Sequence, residues 1–337
     1  MLPGAEPIRS IDGALPGVLD DALLASTQPV VLRGLVRDWP FVRAARTSFG
    51  AAGAYLRRHY RDASVVAMLG APEIGGRFFY NEDLSGFNFA PMRARLDRVL
   101  DELQGHHDNP APPAIYVGST TVDTCLPGFR EHNDVDLGAR DALASIWIGN
   151  RTRIAAHYDL PDNLACVAAG RRRFSLFPPG QLENLYIGPL DFTPAGQAIS
   201  LVDFHAPDLA RYPRFREAMR HALVAELEPG DALFIPSMWW HHIEALEAFN
   251  VLVNYWWRQS PPWMDTPTNA LMHALMSVRD LPPAQRRAWQ ALFDHYVFQA
   301  DEATSAHIPP AARGVLAPLG DESTRQLRAQ LLKRLNR

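Results

Sequence analysis

Between residues 114 and 257 the chain breaks into short runs of β-forming residues, at 114–119, 144–149, 153–159, 163–169, 172–177, 223–227, 232–236, 241–246 and 251–257. Turn signals separate them: Gly149-Asn150, Leu160-Pro161-Asp162-Asn163, Ala169-Gly170, Pro178-Pro179-Gly180 and Pro229-Gly230-Asp231. Many short strands joined by polar turns make a sandwich or a barrel. The 28 prolines suit the same reading, because proline belongs in loops and at sheet edges. No internal repeat or low-complexity block interrupts the pattern.

The flanks differ. Residues 29–34, PVVLRG, read as a short buried strand ending at glycine. Residues 91–104, PMRARLDRVLDELQ, read as a helix with Pro91 in its first turn and Met92, Leu96, Val99, Leu100 and Leu103 on one stripe. After Trp257 the period is helical again. Thr266 caps a helix with Pro267 at its first position, and Ala270, Leu271, Ala274, Leu275 and Val278 share a face. A second helix follows Pro282-Pro283 with Ala288, Trp289, Leu292, Phe293 and Tyr296 together. A third carries Leu327, Leu331 and Leu335 on one side, with Lys333, Arg334 and Arg337 in its last turn. Three regions result: a mixed α/β region at 1–113, a β core at 114–258, and a helical region at 259–337. So apolar a tail either packs on the core or joins two copies, and a homodimer through these helices is the expectation.

A chain of 337 residues needs no staples to bury a sizeable core. Its two cysteines, Cys125 and Cys166, have no zinc-like spacing and read as buried thiols. With 33 basic and 37 acidic side chains the net charge is -4, which makes a nucleic-acid partner unlikely. The Arg171-Arg172-Arg173 run is too short to reverse that balance. The first residues lack the charged-then-apolar run of a signal peptide, and no stretch is apolar enough to span a bilayer. A cytoplasmic protein with no membrane association is the expectation.

Two segments carry chemistry. In Ile154-Ala155-Ala156-His157-Tyr158-Asp159, strand alternation puts His157 and Asp159 on one face. A His and a carboxylate from one strand, with one His from another, form a facial triad whose open positions suit non-haem iron(II). A second His-x-Asp, His132-Asn133-Asp134, lies in the polar stretch REHNDVD and reads as a loop. The other segment is PGDALFIPSMWWHHIE, residues 229–244, a turn feeding an apolar strand that leads to paired histidines. Of His241 and His242 only one can face inward. Taken alone, either is equally well a hydrogen-bonded packing histidine beside tryptophan.

HYD, NLACVAAGRRRFSLFPP, PGDALFIPSMWWHHIEAL and NVLVNYWW together resemble the jumonji-C branch of the cupins, and in particular asparaginyl hydroxylases and their bacterial cupin-like relatives. The match is good over about 114–258 and looser on either side. It implies a double-stranded β-helix (jelly roll) and a reaction that couples 2-oxoglutarate decarboxylation to hydroxylation of a protein or peptide side chain. By the same resemblance His157, Asp159 and His241 are catalytic metal ligands for Fe(II). Asn163 and Asn254 fall at polar positions near co-substrate and metal, and Tyr116 and Arg172 at positions that anchor the far carboxylate of 2-oxoglutarate. Each has a plainer reading: Tyr116 as core, Asn163 as a turn residue, Asn254 as a polar interruption of a strand, Arg172 as a solvated charge. Asn254 is the more telling asparagine, since VLVNYWW is otherwise apolar and a buried amide needs partners.

Two positions depart from the family. Arg172 stands in place of a lysine, and Ile154 in place of a hydroxyl residue that touches the co-substrate. Arginine binds carboxylates bidentately but has a larger planar head, so the pocket must be shaped differently. A non-catalytic cupin that binds a metal or ligand, and an RNA-modifying hydroxylase, stay open as alternatives. Trp239, Trp240, Trp256 and Trp257 either wall the site or fill the core, and the long connection 181–222 is placed to border its entrance.

Overall fold

A computed structural model describes residues 2–15 and 17–336. The chain forms two compact units, Met1–Gln259 and Ser260–Arg337. In the first, six strands precede the β core, β1 (Glu6–Pro7), β2 (Ser10–Asp12), β3 (Val30–Arg33), β4 (Ser64–Gly70), β5 (Arg77–Phe78) and β6 (Phe89–Arg95), and β7 (Ala114–Thr121) opens it. Eight follow: β8 (Leu143–Gly149), β9 (Arg153–His157), β10 (Asp162–Ala169), β11 (Arg172–Phe177), β12 (Leu223–Leu227), β13 (Ala232–Ile235), β14 (Trp240–Ala245) and β15 (Asn250–Trp257).

These last eight make a jelly roll. Strands β12-β11-β14-β9 form one sheet and β13-β10-β15-β8 the other. The earlier strands widen both. With β1 and β5 at its edges the first sheet has six strands, and with β2, β3, β4, β6 and β7 the second has nine.

Burial follows from position in the sheets. Strand β10, with neighbours on both edges and cover on both faces, is buried at every residue. That is why NLACVAA reads as a continuous apolar run instead of an alternating one. Between the sheets Val31, Val167, Phe174, Leu176, Leu233 and Ile235 fill the closed end of the jelly roll. Behind the nine-stranded sheet, helices Pro40–Thr47, Phe49–His59 and Leu96–Gly105 cover Leu32, Ile146, Leu164 and Val251. Cys125 and Cys166 are free and buried.

One element differs from expectation. Residues 89–95 are the edge strand β6, paired with β4, and the helix begins only at Leu96. Pro91 cannot donate to a ladder, yet an edge strand tolerates it. Met92 is correspondingly exposed, and the buried stripe is Leu96, Val99, Leu100 and Leu103. His132, Asn133 and Asp134 lie outside any strand. Asn133 is fully buried, where its side chain bonds Phe41 N, Tyr55 Oη and Phe129 O.

The second unit has helices Pro267–Ser277, Pro283–Phe293 and Asp321–Leu335. Thr266 precedes the first without capping it through its hydroxyl. After Phe293 the helix widens to a π turn over Asp294–Phe298. Lys333 and Arg334 occupy the last turn of the third helix, and Arg337 lies outside the described residues. Large apolar side chains stay exposed here, among them Met276 at 71% and Phe298 at 75%.

The Pro229-Gly230-Asp231 turn knits the N-terminal region to the jelly roll. Gly230 has φ 105°, and a Cβ there would meet the Arg37 backbone at 2.9 Å. Asp231 accepts from Arg33 Nη1 at 2.6 Å, Gly34 N at 2.9 Å and Glu228 N at 3.2 Å. Replacing it with alanine strips three donors of one charged acceptor. Asp231→Ala should lower stability by roughly 2 kcal/mol, read by denaturant or thermal unfolding; an unchanged midpoint would show that this turn is not a clamp.

Candidate metal centre

Strand β14 lies between β9 and β11 and sets His241 opposite His157 on one side and Leu176 on the other. Regular alternation does not account for His157. On β14 the registered residues are His241 and Ile243, two apart, whereas on β9 they are His157 and Ile154, three apart. The extra residue is a β-bulge, which re-aims a side chain at the cost of local pairing. Both Ile154 and His157 consequently line the cavity between the sheets.

Asp159, read from sequence as a strand residue, lies beyond the end of β9 at His157. Its backbone carbonyl accepts from Met238 N at 2.9 Å. The same turn is tied down by Ser237, whose N reaches Asp162 Oδ1 at 2.9 Å and whose hydroxyl bonds Leu160 O at 2.6 Å. Met238 sits at φ 68°, a left-handed conformation that a side chain rarely adopts.

One potential ligand atom from each of His157, Asp159 and His241 falls within 4.8 Å of the other two. The imidazole rings are 4.3 Å apart, and His241 Nε2 is 3.5 Å from Asp159 Oδ2. Each ring has its Nδ1 on a backbone carbonyl, His157 on Ala155 O at 3.0 Å and His241 on Trp239 O at 2.9 Å. A carbonyl only accepts, so Nδ1 carries a proton in each ring, and Nε2 is the atom available to a ligand when the ring is neutral. Burial, and then the neighbouring His241, push His157 down to about 4. Burial alone would raise Asp159, but the two histidines and Asn163 hold it at about 2. A carboxylate and two imidazoles whose Nδ1 atoms are turned to backbone carbonyls form the donor set of a divalent metal site, and they fit iron(II).

His242 points the other way. Its ring lies 4.7 Å from that of Phe204, and its Nε2 is 3.6 Å from Glu244 on the outer face of the sheet.

The remaining sequence candidates share the same cavity, of about 330 Å³. Tyr116, Asn163, Arg172 and Asn254 all line it, so none is a surface or turn residue. Arg172 is 2% exposed, its Nε has no partner, and it forms no ion pair among the described residues. Burial lowers its pKa to about 10. Tyr116 is raised, chiefly by burial, while the Arg172 charge works against that rise. Of the four tryptophans considered, Trp256 lines the cavity, whereas Trp239, Trp240 and Trp257 belong to the packed core. From the connection 181–222, Pro194, Ala195, Gly196 and Ile199 form part of the wall. Sequence reasoning missed Trp147, Met68 and Phe78, which also line it. Trp147 stood in ASIWIG with no polar neighbour to mark it.

A family model described as "Cupin-like domain" matches residues 17–262. The chain belongs to this family. Over 158 residues, 45% of the chain, it is 32% identical to human HSPB1-associated protein 1, covering 31% of that protein. Over 105 residues, 31% of the chain, it is 40% identical to tRNA wybutosine-synthesizing protein 5 of Danio rerio, covering 29% of it. The longest of these three alignments is to Lysine-specific demethylase JMJ31 of Arabidopsis thaliana, 34% identical over 280 residues, 75% of the chain and 50% of that protein. The chain thus spans about a third to a half of these curated relatives. The cupin-like, jumonji-C resemblance of the HYD and WWHH segments agrees with both findings. No helix among the described residues is long and apolar enough to cross a membrane.

A metal that binds the folded centre and not the unfolded chain stabilises by mass action, by about 2.7 kcal/mol at a hundred times its dissociation constant. Manganese(II), or iron(II) without oxygen, should raise the melting temperature of the chelator-stripped protein, and His157→Ala, Asp159→Ala or His241→Ala should each abolish the rise. An equal rise in all three variants would place the metal elsewhere.

Proposed function

We propose that this chain is an iron(II)- and 2-oxoglutarate-dependent oxygenase that hydroxylates an uncharged side chain of a protein or peptide. The observation that carries the reading is Arg172, a buried guanidinium without an anion in the same cavity as the His157, Asp159 and His241 cluster. A buried charge is retained only when something pairs with it. A dicarboxylate that reaches the metal at one end and the guanidinium at the other meets that need.

When bound, iron(II) supplies the oxidative chemistry, in which O₂, 2-oxoglutarate and a substrate C–H become succinate, CO₂ and C–OH. The protein's part is positional. His157, Asp159 and His241 would hold the metal, and as only three ligands they would leave it room for co-substrate and oxygen. Arg172 takes the far carboxylate bidentately, and the Tyr116 hydroxyl, kept protonated by burial, donates to the same group. Phe174, Ile243 and Ile154 line that end and exclude water.

The lining bears on substrate class. Asp159, Arg172 and the two histidines are its only titratable groups apart from Tyr116, and all five are engaged by metal or co-substrate in this reading. A methylated lysine, the substrate that the name of one relative implies, would find no free carboxylate to receive its cation. An uncharged side chain fits walls of Ala155, Pro194, Ala195 and Ile199. The tRNA-modifying relative suggests RNA, but a net charge of -4 supports a peptide instead.

Succinate formation from 2-oxoglutarate tests the assignment. Wild type should form it, and His157→Ala should not. Arg172→Met should raise the KM for 2-oxoglutarate about 100-fold while keeping the metal-induced rise in melting temperature, since losing one partner of a desolvated charge pair costs roughly 3 kcal/mol. A protein that binds iron(II) yet forms no succinate with any peptide would be a binding module.

The homodimer is part of the same proposal. The exposed apolar side chains of the C-terminal unit, including Leu271, Trp289, Leu292 and Leu331, exceed what a solvated helical surface needs. A second copy of the chain offers the same surface in return, which is the condition for a two-fold interface. Light scattering coupled to size exclusion should give twice the chain mass for wild type and a monomer for Leu292→Arg with Leu331→Arg. A monomeric wild type would remove the dimer without touching the oxygenase assignment.

A further inference from the structure

Behind Asp159 three polar side chains run in series across the nine-stranded sheet. The Trp147 indole on β8 donates to Asn254 Oδ1 on β15 at 2.7 Å. Asn254 Nδ2 donates to Asn163 Oδ1 on β10 at 3.4 Å. Asn163 Nδ2 donates to Asp159 Oδ2, also at 3.4 Å. Strand order β10-β15-β8 puts the three carriers on adjacent strands, and all three residues line the cavity.

We infer that Trp147 is a positioning residue for the metal carboxylate, acting through Asn254 and Asn163. The inference rests on reading His157, Asp159 and His241 as metal ligands. Its physical basis is that an indole N–H only donates, whereas a carboxamide is ambidextrous. Facing the indole, Asn254 must present its oxygen, so its NH₂ is turned to Asn163. Asn163 must then offer oxygen to Asn254 and NH₂ to Asp159. Flipping either amide sets donor against donor or oxygen against oxygen. With Asn254 1% exposed and Asn163 6%, few contacts with water are left to offset the mismatch.

The source of the relay is itself pinned. The Trp147 ring stacks on Tyr116, with centroids 5.9 Å apart and planes at 25°, and meets Trp256 edge-on at 5.7 Å. The two 3.4 Å links are long for N–H···O bonds. They join side chains that are buried or, at Asp159, half-buried, and the final one ends on a charged acceptor, where a hydrogen bond is stronger. The relay thus fixes the rotation of the Asp159 carboxylate before any metal arrives.

Cobalt(II) titration of the chelator-stripped full chain, followed by its visible d–d bands, tests this without turnover. Trp147→Phe keeps a ring against Tyr116 and removes the donor. It should weaken cobalt(II) binding about tenfold, a typical effect for groups that orient a ligand, and alter the band shape. Asn163→Ala should do the same. In the double variant, the Trp147 change should add nothing, because the relay is already cut. Additive losses would overturn the inference and leave Trp147 a packing residue. So would a Trp147→Phe protein with wild-type affinity, provided Asp159→Ala has lost binding. Should Asp159→Ala bind cobalt(II) as tightly as wild type, the metal-ligand reading fails instead, and the relay falls with it.

Discussion

Where β9 runs antiparallel to β14, His157 stands across from His241, and their rings come within 4.3 Å. The pairing of Ile154 with Ile243 shows what an unbulged ladder would have done. Continued without the extra residue, it would set Ala156 opposite His241 and turn His157 to the outer face. Two consecutive alanines at the bulge make the local crowding inexpensive. The rest of the centre is built on that displacement. Asp159 reaches the same face because it is two residues beyond His157, and the Ser237-Met238 turn holds its segment in place.

Polar groups buried in this unit differ in how they are satisfied. Asn133, Asn150 and Asp231 have partners for their side-chain oxygens and nitrogens within the protein, so they act as fasteners between segments far apart in sequence. Arg172 Nε and Trp256 Nε1 have none, as is also true of Tyr255 Oη and Trp257 Nε1 in the packed core, but only the first two belong to residues that line the cavity. An orphaned donor beside a cavity destabilises the free protein and is relieved by whatever fills the space. The distinction also disposes of His132-Asn133-Asp134. Its chemistry looked like that of the metal strand, yet its central residue is a satisfied fastener.

Most of the jelly roll was legible because its signals are local. Runs such as NLACVAA and RRRFSLF lie between turn residues that cannot continue a strand, and their observed bounds fall within a residue or two of the readings. The stretch 89–95 was not legible. MRARL fits both periods, and only the vacant edge beside β4 decides for strand. The bulge in β9 leaves no mark in Ile-Ala-Ala-His, and the two histidines named from the sequence come together in the structure although the regular strand assumed for them does not exist. Trp147 was invisible for another reason. The role inferred for it depends on Asn254, an amide 107 residues away in sequence, and a tryptophan in an apolar run ordinarily reads as core.

The cavity draws its lining from three sources. His157, Asp159, His241, Arg172 and both asparagines come from the jelly roll or the turn after β9, as do apolar walls such as Ile154, Phe174 and Ile243. The space is completed from outside the jelly roll by Met68, Phe78 and Tyr116 from the earlier strands, and by Pro194, Ala195, Gly196 and Ile199 from the long connection. Aromatic contacts link these walls, from Tyr116 to Phe78 at 5.7 Å, Phe78 to Phe89 at 5.3 Å, Phe89 to Phe87 at 5.1 Å, and Phe87 to Phe192 at 4.7 Å. The connection is therefore seated on N-terminal phenylalanines, and it is also tied to the strands that carry His157 and His241: Ser200 N donates to Ala156 O on β9 at 2.8 Å, and His205 Nε2 lies 2.7 Å from Glu244 Oε2 on β14. The wall it supplies at Pro194, Ala195 and Gly196 lies between these two anchorages, so its shape is coupled at both ends to the frame that brings the His157, Asp159 and His241 side chains together.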